Sequence, residues 1–138
     1  HWKVHYRQSL KSLQEGYQAG LEVGDFEFAG YCGIQYGFEA FYSGKELSEL
    51  ERDMANYSDA FYQIKQEISF KCNETFRQGV LNLMGQAAEE PYRLIGAAYN
   101  EEQMLPVYQQ KNDLFSLYVL YTQKNCSFLF VSKISSGY

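Results

Sequence analysis

The chain has 138 residues, of which 24 are aromatic (13 Tyr, 10 Phe and 1 Trp) and only two are proline. This composition excludes a disordered or collagen-like chain and provides enough apolar surface for a folded core. Seventeen acidic and twelve basic residues leave a net charge of −5. That balance argues against nucleic acid as a partner, because nucleic-acid-binding proteins carry clustered lysine and arginine. No run of 18 apolar residues occurs, so the sequence predicts no membrane span.

Helical periodicity dominates the first half of the chain. Apolar residues recurring at steps of 3 and 4 predict an amphipathic helix over 1–23. Gly24 is predicted to end this helix, and Asp25 is predicted to be the N-cap of the next helix, 26–43. That helix is apolar around most of its circumference, so we expect it to pack between neighbouring helices. Another regular apolar stripe predicts the third helix over 45–67.

The second half of the chain is predicted to hold shorter helices. The stripe continues over 69–88, and Pro91 is well placed in the first turn of a helix over 91–99. The last two predicted helices are 101–111 and 114–131, and the apolar run that ends the latter is compatible with either helix or strand. Elsewhere strand alternation and hairpin turns are missing from the sequence.

Glycines also recur at helical spacing, although each one inside a helix costs about 0.5–1 kcal/mol relative to alanine. We expect that they allow two helix backbones to approach closely, and the G-x-G-x-x-G spacing of a phosphate-binding loop is missing. Small residues at crossings of paired helices are typical of tetratricopeptide repeats (TPR), although the turns here are spaced irregularly. The predicted helix-crossing glycines are Gly16, Gly20, Gly30, Gly33 and Gly37.

The predicted fold class is all-α: an antiparallel helix-hairpin (TPR-like) superhelical segment of six to seven helices. Residues 1–138 are predicted to form one such segment, excised from a longer protein.

Sequence motifs for catalysis or metal binding are missing. His1 and His5 are spaced i, i+4, but they lack the HExxH pattern and a third ligand nearby. Cys32, Cys72 and Cys126 form no C-x-x-C pair and fit reduced thiols in a cytoplasmic protein. We therefore predict a non-enzymatic segment with no catalytic residue, no metal and no cofactor.

Tyrosines recur along the first three predicted helices. They are either core rings with the hydroxyl at the rim or the lining of an aromatic ligand groove, and the sequence leaves both interpretations open. The predicted partner-contact residues are Tyr31, Tyr36, Tyr42, Tyr57 and Tyr62.

Several stretches of the chain resemble a known family. They are FEAFYSGKEL (38–47), LERDMANYSDA (50–60), QIKQE (63–67), QGVLNLMG (78–85), LIG (94–96) and YNEEQMLP (99–106). They are similar to the TPR-like helical region of very large bacterial, mainly cyanobacterial, signalling proteins. Those proteins carry a serine/threonine kinase, an AAA-type predicted ATPase, a GAF domain and a C-terminal histidine kinase. The resemblance covers nearly the whole chain to about Leu120, and beyond Asn125 the sequence departs from the family pattern.

The resemblance implies a cytoplasmic, non-catalytic scaffold that links the ATPase and sensor modules and binds a protein partner. It places the kinase, ATPase and histidine kinase activities elsewhere in the parent protein. Self-association through exposed apolar ends is a further expectation. The alternative is a small-molecule-sensing helical domain with an aromatic pocket between its helices.

Overall fold

The computed structural model describes the backbone of residues 2–136, and the predicted helical position His1 lies outside this range. Within it the fold is all-α, as the sequence predicts, with six helices and, outside them, one isolated bridge. None of these helices is long and apolar enough to cross a membrane. The helices are α1 (Trp2–Val23), α2 (Phe26–Tyr42), α3 (Leu47–Gln63), α4 (Glu67–Leu83), α5 (Glu101–Gln110) and α6 (Leu114–Ser135).

The turn between α1 and α2 forms as its residues predict. Gly24 adopts a left-handed conformation with φ of 77°, which ends α1. The Asp25 side chain accepts a hydrogen bond from the Phe28 amide at 3.1 Å and caps α2. The two helices form an antiparallel hairpin, since Gly20 near the end of α1 faces Ala29 near the start of α2.

The boundary between α3 and α4 differs from the prediction of helices over 45–67 and 69–88. Glu46 caps α3 through the amides of its first turn, so the helix begins two residues later than predicted. The chain turns at Lys65, whose φ is 59°, so α3 ends at Gln63 although the apolar stripe continues beyond it. Local turn geometry overrides periodicity here, and Gly85 with φ of 79° likewise follows the end of α4 at Leu83.

The predicted helix over 91–99 is wrong. This segment consists of turns and bends, with an antiparallel bridge between Ile95 and Asn100. Pro91 therefore opens no helix. Asn100 caps α5 by accepting hydrogen bonds from two amides of its first turn. The last helix is longer than predicted and includes the run for which a strand was the alternative.

Two side chains of α4 explain why 91–99 is not helical. Asn82 donates hydrogen bonds to two carbonyls of the segment, the shorter one to Arg93 at 2.7 Å. Gln78 accepts hydrogen bonds from the amides of Ala98 (3.0 Å) and Tyr99 (3.2 Å). Because these amides and carbonyls find partners outside a helix, the segment satisfies its backbone without helical hydrogen bonds.

The chain divides into two compact units, residues 1–73 and 74–138, with the boundary inside α4. The first unit has a core cluster of Tyr17, Ala29, Cys32 and Phe61. The second unit has a core cluster of Leu94, Tyr99, Tyr108 and Leu120. The organisation as one repeat segment stays a prediction.

Four of the five predicted helix-crossing glycines face neighbouring elements of the first unit. A Cβ added to Gly16 would lie 2.9 Å from the Cys32 sulfur, and one added to Gly33 would lie 2.6 Å from the tip of the Phe61 ring. Neither position has room for a methyl group without a shift of its neighbour. Gly20 and Gly30 are similarly crowded, by Ala29 and Ser69, and Gly37 is buried within α2.

Candidate functional site

The structure separates the five predicted contact tyrosines into two groups. Tyr36 is buried at 4% exposure and its ring centroid lies 5.5 Å from that of half-buried Tyr57. Tyr31, Tyr42 and Tyr62 are exposed at 58%, 55% and 74%. The rings of Tyr36 and Tyr57 therefore lie side by side, whereas Tyr31, Tyr42 and Tyr62 are exposed to solvent.

Tyr36 and Tyr57 line a pocket of about 480 Å³ between α1, α2 and α3, which we call the tyrosine pocket. Its volume lies within the range of about 300–1,000 Å³ that is usual for small-molecule sites. The lining combines aromatic rings with polar groups, as such sites commonly do. The lining residues are Gln14, Tyr17, Gln18, Tyr36, Asp53, Asn56 and Tyr57.

Tyr57 lies at the centre of the aromatic contacts of the tyrosine pocket. Its ring meets Tyr17 edge to face at a centroid distance of 5.0 Å and stacks on Phe61 at 5.9 Å. Phe61 is fully buried, and the space left by Gly33 accommodates both the Phe61 and Tyr57 rings. The wall of the pocket is therefore continuous with the core, which restricts the orientation of its rings.

A charged pair fixes one side of the pocket. The Lys45 ammonium donates to the Asp53 carboxylate at 2.6 Å and to the Tyr36 hydroxyl at 3.0 Å, and it lies 5.6 Å from the Tyr36 ring centroid. Tyr36 in turn donates to Asp53 at 2.8 Å. Because both charged side chains are about a quarter to a third exposed, this ion pair stabilises the fold by only about 1 kcal/mol. Its main effect is to hold the Tyr36 hydroxyl and to neutralise the Asp53 charge.

The pocket tyrosines stay protonated at neutral pH. Burial raises the pKa of Tyr57 well above its usual value, and the nearby Tyr36 and Tyr17 hydroxyls add to the effect. Burial also raises the pKa of Tyr17 and of Tyr36. For Lys45, burial lowers the pKa, but hydrogen bonds to Asp53 and Tyr36 outweigh it and the pKa is raised. The pocket thus presents neutral hydroxyl groups beside a compensated ion pair.

Other polar groups of the pocket have no partner within residues 2–136. The structure records no hydrogen bond there for the side-chain amides of Gln14, Gln18 and Asn56 or for the hydroxyls of Tyr17 and Tyr57. These groups offer both donors and acceptors to an entering molecule. An uncharged ligand with a ring and hydrogen-bonding edges fits this lining best.

Sequence reasoning missed the polar half of the pocket, although a signal for it exists. Gln14, Tyr17 and Gln18 follow the spacing i, i+3, i+4, which places all three on one face of α1. Asp53, Asn56 and Tyr57 repeat the same spacing on α3. Two such faces, each pairing a tyrosine with side-chain oxygens or amides, indicate where two helices flank a polar cavity.

Two helices also present apolar side chains to solvent. On α6 the side chains of Leu114, Tyr118, Tyr121 and Leu129 lie on one face, and each is half exposed or more. We call this the α6 face. On α2 the exposed residues Phe28, Tyr31 and Tyr42 likewise share one face.

Cys32, a buried cysteine of α2, is poorly placed to act as a nucleophile. Burial raises the pKa of the Cys32 thiol, which opposes formation of a nucleophilic thiolate. No set of three histidine, cysteine or acidic side chains among residues 2–136 is arranged to hold a metal ion. No protein-family model, no curated protein and no solved structure matches the chain.

Proposed function

We propose that this chain is a non-catalytic helical scaffold of a cytoplasmic multidomain signalling protein, where it binds the neighbouring ATPase and sensor modules. The resemblance of six sequence stretches to the helical region of such kinase and ATPase proteins supports the setting. The all-α fold agrees with the helical region expected there. The observation that carries the binding role is the α6 face.

The chemistry of the α6 face fits an amphipathic helix of a protein partner. Between Leu114 and Ser132 the only charged residue of α6 is Lys124, and its ammonium binds Glu101 at 2.9 Å. The face is therefore uncharged. Tyrosine is enriched at the centres of protein interfaces, where its ring buries a large area at a low cost in entropy. An apolar helix stripe from an adjoining module would cover these side chains without leaving a charge unpaired.

The test uses the 138-residue chain and the separately purified modules encoded beside it. The double variant Tyr118→Ser/Leu129→Ser should weaken binding at least about tenfold, because it removes two exposed apolar side chains from one face. The matched control, Gln109→Ser/Gln110→Ser on exposed positions of α5, should bind like the unchanged chain. Equal affinity of both variants for every module would refute the binding role of the α6 face. Sedimentation of both variants at high concentration measures whether the α6 face also supports self-association.

The tyrosine pocket favours a second candidate function, the sensing of an uncharged small molecule with an aromatic ring. Nicotinamide is a suitable probe, since it carries a ring and a carboxamide but no charge. We expect it to raise the thermal unfolding temperature of the chain, and Asn56→Ala should abolish the shift. Tyr62→Phe changes an exposed tyrosine outside the pocket and should preserve the shift. No shift with nicotinamide or comparable ring amides would count against the sensor function while leaving the scaffold untouched.

A further inference from the structure

A second cavity of the first unit concentrates positive charge in an acidic protein. It has a volume of about 290 Å³ and lies between the first turns of α1 and the loop that joins α2 to α3. None of the described residues that line it is acidic, although the chain has a net charge of −5. We call it the cation cavity. Its lining residues are Lys3, Tyr6, Arg7, Leu10, Ser43, Gly44 and Lys45.

The three cationic side chains reach the cation cavity from two elements. Lys3 and Arg7 are one helical turn apart on α1, so they lie on the same face. Lys45 comes from the loop, and its ammonium is held by the Tyr36 hydroxyl and the Asp53 carboxylate. Within residues 2–136 the Arg7 guanidinium is exposed and has no recorded ion pair or hydrogen bond. Its donors are therefore available to a ligand.

We propose that the cation cavity binds the phosphate group of a soluble phosphate monoester. The side chains of Lys3, Arg7 and Lys45 together with the Asp53 carboxylate that binds Lys45 carry a formal net charge of +2 (3 − 1 = 2), which is opposite in sign to a phosphate dianion and equal in magnitude. Arginine binds phosphate through two parallel hydrogen bonds, and lysine adds a point charge. The cavity holds more than the phosphate group alone, so part of the esterified molecule enters with it.

The main test titrates the 138-residue chain with glycerol phosphate and with pyrophosphate at low ionic strength. Calorimetry gives the affinity, and amide resonances of Ser43, Gly44 and Lys45 report where the anion binds. Arg7→Gln should weaken binding about tenfold, which is the loss expected for one charge-assisted contact. Lys11→Gln is the matched control, because Lys11 lies one turn further along α1, outside the cavity, and pairs with Glu15. It should change the affinity less than about twofold.

A variant that is expected to tighten anion binding complements the variant that is expected to weaken it. Asp53→Asn removes the carboxylate that competes for Lys45, so it should tighten binding of both anions several-fold. Weaker binding or an unchanged affinity in Asp53→Asn would overturn the proposal, as would equal losses in Arg7→Gln and Lys11→Gln. Circular dichroism of each variant confirms that the helices are retained before affinities are compared.

A last experiment distinguishes a soluble phosphate monoester from a lipid headgroup, which carries the same phosphate group. Vesicles containing phosphatidic acid are compared with glycerol phosphate in solution. Binding to the vesicles without binding of glycerol phosphate would overturn the proposal of a soluble ligand. Binding of glycerol phosphate that depends on Arg7 would support it.

Discussion

The interiors of the two compact units differ in the side chains that they bury. In residues 1–73 aromatic rings pack against glycines, as where the Phe61 ring occupies the space beside Gly33. In residues 74–138 more polar side chains are buried beside the apolar core than in the first unit, and Gln78 is fully buried while it accepts two backbone hydrogen bonds. The first interior therefore depends more on the fit of rings against glycines, and the second depends more on buried hydrogen-bond partners.

This difference shows how two interiors form from similar apolar periodicity. A glycine in α2 exposes backbone that a ring can cover, so helices suffice to close the first unit. The second unit contains the non-helical segment after α4, whose backbone groups need partners when they are buried. Gln78 and Asn82 supply those partners from one face of α4. Changes to size should therefore damage the first unit most, and changes to polarity the second.

The largest effect is expected from Phe61→Ala in the first unit. Phe61 is fully buried and stacks on Tyr57, so its loss leaves a cavity in the aromatic core. We expect the free energy of unfolding to fall by about 4 kcal/mol, measured by chemical denaturation of the full chain. The neighbouring change Tyr62→Ala removes a largely exposed ring and should cost less than about 1 kcal/mol. Similar losses from both variants would contradict a core centred on Phe61.

The next largest effect tests the polar interior of the second unit. Gln78→Leu keeps the size of the side chain but leaves the amides of Ala98 and Tyr99 without their acceptor. We expect a loss of about 2–3 kcal/mol and faster hydrogen exchange at these two amides. Gln103→Leu, at an exposed position of α5, is the control and should be nearly neutral. A stabilising effect of Gln78→Leu would show that the interior of this unit prefers apolar packing.

Two glycine substitutions, one in each unit, are expected to change the free energy of unfolding in opposite directions. Gly33→Ala places a methyl group against Phe61 and should lower the free energy of unfolding by about 2 kcal/mol. Among the side chains that the structure describes, the methyl group of Gly79→Ala, in α4 of the second unit, meets Ser127 Oγ at 3.4 Å and Gln123 at 3.8 Å. It should raise the free energy of unfolding by up to about 1 kcal/mol, because alanine favours a helix over glycine. If both substitutions changed the free energy of unfolding in the same direction, the proposed difference in packing around Gly33 and Gly79 would be refuted.

The smallest effect concerns pH and the aromatic core. Burial raises the pKa of Tyr57 above the ordinary value of 10.0, so folding favours its neutral form. The stability that this provides is complete below about pH 10 and is lost as the pH rises further. Tyr57→Phe should therefore move the midpoint of alkaline unfolding to higher pH, measured by circular dichroism. Tyr62→Phe, at an exposed ring, should leave the midpoint unchanged.

The helical class and most helix ends follow from local sequence signals. The Gly24-Asp25 turn forms as predicted because glycine tolerates a left-handed conformation and aspartate caps the next helix. The segment 91–99 escaped prediction because its partners, Gln78 and Asn82, lie in another helix. The tyrosine pocket was only half predicted for a related reason. Tyr36 and Tyr57 stand out by residue type, whereas Asn56 is unremarkable until three helices bring it beside them.

The sequence by itself determined that the chain is helical and where its best-marked turns fall. These properties depend on neighbours in sequence, since periodicity, caps and missing side chains act within a few residues. Only the tertiary structure decided that Lys45 joins Asp53 and Tyr36, that Arg7 lines the cation cavity with it, and that one segment stays unwound. Such contacts depend on side chains that are distant in sequence, whose meeting is fixed by how the helices pack.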